Sequence, residues 1–241
     1  MEQKGHTVKA YDEDLDHLGM IVARMGGIAE AQLSAAVAAL IDQDSARARA
    51  IVAGDKEIDA LEREADEFAI RLLALRQPMA GDLRRVIAAL KIAADIERIG
   101  DYAKNIAKRA LALEVAETVP LERPLAHFGA LVQGRIKQVL DAYAHGDTDM
   151  AMAIRDGDCE LDEAHNVLYE TLQKHMMNDP SKVPVCSHLL FVAKNLERIG
   201  DLVTNVAESI YFVARGKPPA DERPKGDTTS VTLLDARTAD G

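Results

Sequence analysis

The sequence predicts an all-α fold of two tandem three-helix bundles, and three observations predict it. Helix formers dominate, aromatic residues make up 4% of the chain, Trp is absent and only eight prolines interrupt 241 residues. Apolar residues recur at spacings of three and four over segments longer than an ordinary globular helix, the pattern of elongated antiparallel bundles. The chain also repeats itself: Glu97-Arg98-Ile99-Gly100-Asp101 followed by Asn105 returns 100 positions later as Glu197-Arg198-Ile199-Gly200-Asp201 followed by Asn205. Upstream, Gly54-Asp55-Lys56-Glu57-Ile58-Asp59 is echoed by Gly157-Asp158-Cys159-Glu160-Leu161-Asp162, at an offset that implies a small length change in an intervening turn.

The breakers set the elements. A first helix is predicted from Val8 to Ile41, and Asp42-Gln43-Asp44-Ser45 supplies a turn and an N-cap for a second that continues to Gln77. Pro78 ends that helix, and Asp82 lies near the start of a third, which reaches about Leu113. After Pro120 and Pro124 the order repeats: a helix to His145, a turn at Gly146-Asp147-Thr148, a long helix to Asn178 before Pro180, and a last helix from Val183 to Arg215. The expected domains are therefore 8–116 and 120–216, side by side about a pseudo-twofold axis. From Gly216 onward, Pro218, Pro219, Pro224 and scattered charges predict a disordered tail over 217–241, with a short apolar contact at Val231 to Leu234. Gly26-Gly27, inside the first helix, reads as a kink or a close crossing rather than a functional site.

Composition excludes several classes of function. The formal charge is −11, and no Lys/Arg stripe offers the footprint that a duplex requires, which argues against nucleic-acid binding. Two cysteines, Cys159 and Cys186, read as reduced cytosolic thiols. Met1 to Asp16 has no signal-peptide core, and no window approaches the roughly 18 apolar residues that span a bilayer. A soluble cytoplasmic protein is expected, at a membrane only through partners. Phosphate-cradling glycine loops and nucleophile elbows are missing from the sequence.

Residues Leu83, Ile87, Leu90, Ala94, Glu97, Asp101 and Asn105 follow one another at three or four positions, which suggests a single stripe that begins apolar and ends acidic. The second half reads Val183, Ser187, Leu190, Lys194, Glu197, Asp201 and Asn205. Carboxylates at i and i+4 repel, and a sequence that places them together twice needs a compensation. One compensation is a hard metal ion: Asp, Glu and Asn oxygens without interleaved Cys or His suit magnesium, manganese, calcium or iron. Asp55 with Asp59, and Asp158 with Asp162, would add ligands from the second helix of each half. The other is an ion network through Arg98, Arg198, Arg84, Arg85 and Lys104. Gly100 and Gly200 each cost about 1 kcal/mol inside a helix, so a close helix approach or ligand access is expected there. The histidines at 127, 145, 165, 175 and 188 share no metal spacing and are expected in solvated or capping roles.

Arg76-Gln77-Pro78-Met79-Ala80-Gly81-Asp82-Leu83-Arg84, the Asp95 to Asp101 run, its return from Asn195 to Asp201, the early Met25-Gly26-Gly27 and the Asp179-Pro180 turn together resemble the PhoU family, over about Val8 to Gly216. The resemblance implies two pseudo-twofold-related three-helix bundles, usually as a homodimer. It implies a non-enzymatic negative regulator of phosphate uptake and of the phosphate-starvation response, contacting the ATPase of the phosphate ABC transporter and a sensor histidine kinase. It also implies multinuclear metal clusters of iron, manganese or magnesium, which fall here on Glu97 with Asp101 and Glu197 with Asp201, joined by Asp55, Asp59, Asp158 and Asp162. Asn195 stands where the first repeat has Asp95, so the two sites are not expected to bind metal equally. Two competing readings are a ferritin-like carboxylate metalloprotein and a metal-independent helical scaffold. The first needs Glu-x-x-His pairs, and Glu163-Ala164-His165 is one residue short.

Overall fold

The computed structural model describes residues 2–76, 78–114, 116, 119–221, 223, 226, 227 and 229, with side-chain environments from residue 12 onward. Among the described residues eight α-helices run α1 Glu2–Ile41, α2 Ser45–Gly54, α3 Lys56–Arg76, α4 Gly81–Ala112, α5 Glu122–His145, α6 Thr148–Asp156, α7 Cys159–Asn178 and α8 Val183–Arg215, with a 3-10 turn at Pro180–Lys182. Among the described residues there are no strands, and no helix is long and apolar enough to cross a membrane. The first helix begins six residues before the expected Val8. The expected contact at Val231 to Leu234 lies outside the described residues.

The second helix of each half is not continuous, as the sequence reading had it. It breaks at Gly54-Asp55 into α2 and α3, and at Gly157-Asp158 into α6 and α7. The glycine is the weak point, and the aspartate after it opens the next helix through its backbone carbonyl. Asp55 O accepts the Ile58 and Asp59 N–H groups, and Asp158 O accepts those of Leu161 and Asp162. Each break turns its aspartate inward, so that Asp55 and Asp158 are buried. The other caps follow the sequence: Asp44 Oδ1 accepts from Arg47 N at 2.9 Å, and Asp147 Oδ1 from Met150 N at 2.9 Å.

Helices α1, α4, α5 and α8 pack on one another as a central layer; α2 and α3 lie against α1 and α4, while α6 and α7 lie against α8 and α5. One apolar core therefore runs through both bundles, including Leu18, Ile58 and Ile99 from the first and Phe128, Leu168 and Ile199 from the second. The α1–α5 crossing displays the symmetry directly. A Cβ placed on Gly26 would stand 2.3 Å from Leu140 Cδ2, and one on Gly129 would stand 2.9 Å from Val37 Cγ1. Gly26 and Gly129, like Val37 and Leu140, lie 103 positions apart, so the two contacts are the same contact exchanged between halves, as a twofold requires. Gly26 is thus a close crossing; Gly27, beside it, faces open space.

The chain beyond α8 returns across the second bundle. Arg155 Nη2 donates to Asp221 O, Asn166 Nδ2 donates to Gly226 O at 2.9 Å, and Gly226 N donates to Asp162 Oδ2 at 2.6 Å. Sequence reading placed no such contacts in this segment.

Candidate cation-binding clusters

Glycine makes both clusters possible. Gly100 of α4 crosses α3 where an added Cβ would lie 2.7 Å from Ile58 Cδ1, and Gly200 of α8 crosses α7 where it would lie 2.9 Å from Leu161 Cδ1. Close approach is therefore the reason for both glycines. It sets the Glu-x-x-x-Asp motif of one helix beside the Asp-x-x-x-Asp motif of its neighbour, once in each half.

In the first half Asp55, Asp59, Glu62, Glu97 and Asp101 share one neighbourhood. Burial, then repulsion from Asp101, Glu62, Asp59 and Asp55, pushes the Glu97 carboxyl up to about 7. Lys104, one turn past the motif, donates to Asp101 Oδ1 at 2.5 Å and also to Asp55 Oδ2. Burial alone would lower the lysine, but these two hydrogen bonds outweigh it and hold the ammonium above its ordinary value. Among the described residues Lys104 is thus the cation bonded within this cluster, to two of its five carboxylates. The arginines expected to join it form no ion pair with these carboxylates: Arg98 lies 3.9 Å from Asp95 and acts on Glu62 only at longer range, Arg198 lies over the Tyr102 ring, Arg84 donates to Val213 O and Arg85 faces Asp16 at 3.6 Å.

The second half holds the same four motif carboxylates in a different electrostatic setting. Lys194 Nζ lies 2.9 Å from Glu197 Oε2, and Arg223, from the tail, bonds Asp158 through Nε at 3.0 Å and Asp201 through Nη1 at 2.8 Å. His165 takes the place of Glu62, 103 positions on, and is 2% exposed. Its expected solvated role is therefore corrected: burial lowers its proton affinity, with Asp227 opposing. Burial also raises Glu197 and Asp158 above the usual carboxylate range, against the pull of Lys194 on one and Arg223 on the other.

Two further sequence expectations are redrawn by helix geometry. The stripe from Leu83 to Asp101 is the half-buried margin of α4; the core face runs through Val86, Ala89, Ile92, Ile96 and Ile99. Asn105 leaves the cluster for a cavity between α4 and α8 shared with Phe191 and Arg198, and Asn205 lines another with Asp95 and Arg98. A spacing of four overshoots the helical turn by about 40°, so two in succession carry Asn105 around the cylinder from Glu97. What sequence reading missed is Glu62, His165 and Arg223. Glu62, three residues after Asp59, carried a readable helical signal; Arg223 carried none. The ferritin-like pattern fails as well, because Glu163 is exposed while His165 is buried.

Comparison with known proteins agrees with this doubled architecture. A family model described as the PhoU domain matches residues 22–110 and again 125–210. The chain belongs to the PhoU family. A Caulobacter vibrioides protein named phosphate-specific transport system accessory protein PhoU homolog is 51% identical over 226 residues, 93% of this chain and 98% of that one. A Rhizobium meliloti protein of the same name is 44% identical over 228 residues, 94% of this chain and 96% of its own. The crystal structure of PhoU from Pseudomonas aeruginosa superposes with a TM-score of 0.83 at 36% identity, covering 86% of this chain and all of that one. The phosphate transport system regulatory protein PhoU from Streptococcus pneumoniae superposes at 0.81 with 26% identity, covering 87% and 99%. Within the PhoU architecture the acidic clusters fall where α3 crosses α4 and α7 crosses α8. Among the described residues, no three His, Cys, Asp or Glu side chains are grouped as they stand to hold a metal ion.

Proposed function

We propose that this chain is a non-enzymatic, cytoplasmic accessory protein of a phosphate-specific transport system. It restrains high-affinity phosphate uptake and the phosphate-starvation two-component response, as an adaptor between the transporter ATPase and a sensor histidine kinase, and it works as a homodimer. The observation that supports this reading is the 51% identity, across nearly the whole of both chains, with a relative named for that transport system. The single core shared by both bundles suits an adaptor, since it presents two faces in a fixed relation.

The reading extends to a hard cation in the first cluster, of the magnesium, manganese or iron class. The donor set fits: Asp55, Asp59, Glu97 and Asp101 offer only oxygen. The charge fits too, since one lysine leaves an excess of carboxylate that raises Glu97. Such an ion would supply the positive charge that lets these carboxylates stay ionised together, and it would join α3 to α4. Lys104 is the side chain that would have to yield.

The test has two arms. Deleting the gene in its host, in phosphate-rich medium, is expected to raise phosphate uptake and starvation-reporter output; unchanged uptake and reporter would sink the regulatory reading. Protein purified without chelators is expected to carry iron, manganese or magnesium by elemental analysis and to lose it in a Glu97→Gln/Asp101→Asn variant. Metal-free wild-type protein that still binds the transporter ATPase would leave an adaptor held by ion pairs.

A further inference from the structure

The two clusters differ in where their cations come from. Lys104 neutralises the first from within α4, but 100 positions on the same place is Thr204, a buried residue whose hydroxyl donates to Gly200 O at 3.3 Å. A lysine at the position of Lys104 is therefore missing from the second cluster. Lys194 does not replace it: it lies at the opposite end of the motif, beside Glu197, where the first repeat has Ala94. The gap left beside Asp158 and Asp201 is filled by Arg223.

We propose that the acidic cluster of the second bundle is a guanidinium-binding site whose ligand is the chain's own Arg223, and that the C-terminal segment is a removable plug closing this cluster to other cations. The seat is built on both sides. Arg223 grips two carboxylates, one from the head of α7 and one from α8, and its side chain is 15% exposed while that of Asp158 is 4% exposed. Three residues on, the Gly226 amide donates to Asp162 at 2.6 Å, and Gly226 O accepts from Asn166 of α7 at 2.9 Å. Asp227 then faces Lys194 at 3.7 Å and His165 at 3.8 Å. The tail thus brings a cation and an amide to the carboxylates and a carboxylate to the cluster's own lysine, matching it charge for charge. A planar guanidinium suits this role better than an ammonium, because its fork can serve two carboxylates at once.

The segment lies beyond residue 210, where the second family match ends, but within the length over which a relative aligns with 95% of the chain. The halves are unequal: both clusters hold a lysine on their own helix, Lys104 beside Asp55 and Asp101 and Lys194 beside Glu197, but in the second the cation beside Asp158 and Asp201 comes from beyond α8. Losing the seat exposes Asp158, Asp162, Asp201 and Glu197 together, an oxygen-rich site for a divalent cation.

This inference rests on the reading of both clusters as cation sites, and the experiment separates the two. Full-length wild type, Arg223→Gln and, as a control in the other half, Lys104→Gln are compared after chelation by amide hydrogen exchange, then titrated with MnCl2 while bound Mn2+ per chain is counted. The amide of Gly226 is expected to exchange at least about tenfold faster in Arg223→Gln than in wild type and Lys104→Gln, as for an amide freed from a stable closed state. Arg223→Gln is also expected to bind more Mn2+ per chain than wild type. Equal exchange at Gly226 in wild type and Arg223→Gln would overturn the seat. Faster exchange with no gain in Mn2+, while wild type still binds Mn2+ at its first cluster, would overturn the plug. If neither protein binds Mn2+, the cation reading of the clusters falls, and the plug falls with it.

Discussion

The α1–α5 crossing leaves no room for a side chain at Gly26, and Gly26→Ala tests it. The new Cβ would lie 2.3 Å from Leu140 Cδ2, 2.8 Å from Cδ1 and 3.1 Å from Cγ. The whole branch of Leu140 is in the way, so either Leu140 changes its χ1 rotamer or the helices separate. Overpacking of this kind costs about 1–3 kcal/mol, and replacing a mid-helix glycine by alanine returns about 1 kcal/mol. The net expectation is a loss of up to about 2 kcal/mol, seen as a fall of up to a few degrees in Tm for a domain of this size. Gly27→Ala, one residue on and facing open space, should instead gain about 1 kcal/mol. The decisive measurement is a double-mutant cycle by urea unfolding. In a Leu140→Ala background the obstacle is gone, so Gly26→Ala should turn stabilising by about 1 kcal/mol, a coupling on the order of 1–3 kcal/mol between the two positions. The same effect of Gly26→Ala in both backgrounds would refute the crossing as its cause.

Two other predictions concern buried charge. Burial pushes Asp95 up to about 6 from an ordinary 3.8, with Arg98 and Lys91 only partly opposing it. Because the folded state holds this proton more tightly than the unfolded chain, stability falls as pH rises from about 4 through about 6, then levels. Asp95→Asn, which copies Asn195 of the second half, should therefore be more stable than wild type above about pH 7 by roughly 1–3 kcal/mol, with little difference near pH 4; a pH-independent gap between the urea curves would contradict this. Arg155 is 3% exposed and donates to Glu208 Oε1 at 2.9 Å, to Asp156 at 3.0 Å and to Asp221 O. Arg155→Met should cost about 1–3 kcal/mol, moderated because Glu208 can regain water, and should speed amide exchange over residues 216–221. An unchanged urea midpoint would show that this ion pair holds nothing in place.

The sequence alone determined the helical class, the doubling, the position of most helix ends and eight carboxylates of the two clusters. These are legible because they depend on near neighbours along the chain: a cap three residues from its amide, an apolar residue one turn on, a motif and its copy. It also pointed to Gly100 and Gly200, since a glycine amid good helix formers is locally unfavourable and asks for a tertiary reason. Only the tertiary structure decided what answers each charge. Arg98, beside Glu97 in sequence, points away from it, because neighbouring helix residues face about 100° apart. Arg223, 65 residues from Asp158, reaches it because the chain turns back after α8. His165 is buried by its partners rather than by its own spacing. The stripe drawn along α4 slipped from core to margin for a related reason: periodicity gives a face, and packing chooses which face is inside. Backbone order is written locally, whereas electrostatic pairing is set by distances that exist only once the helices have been stacked.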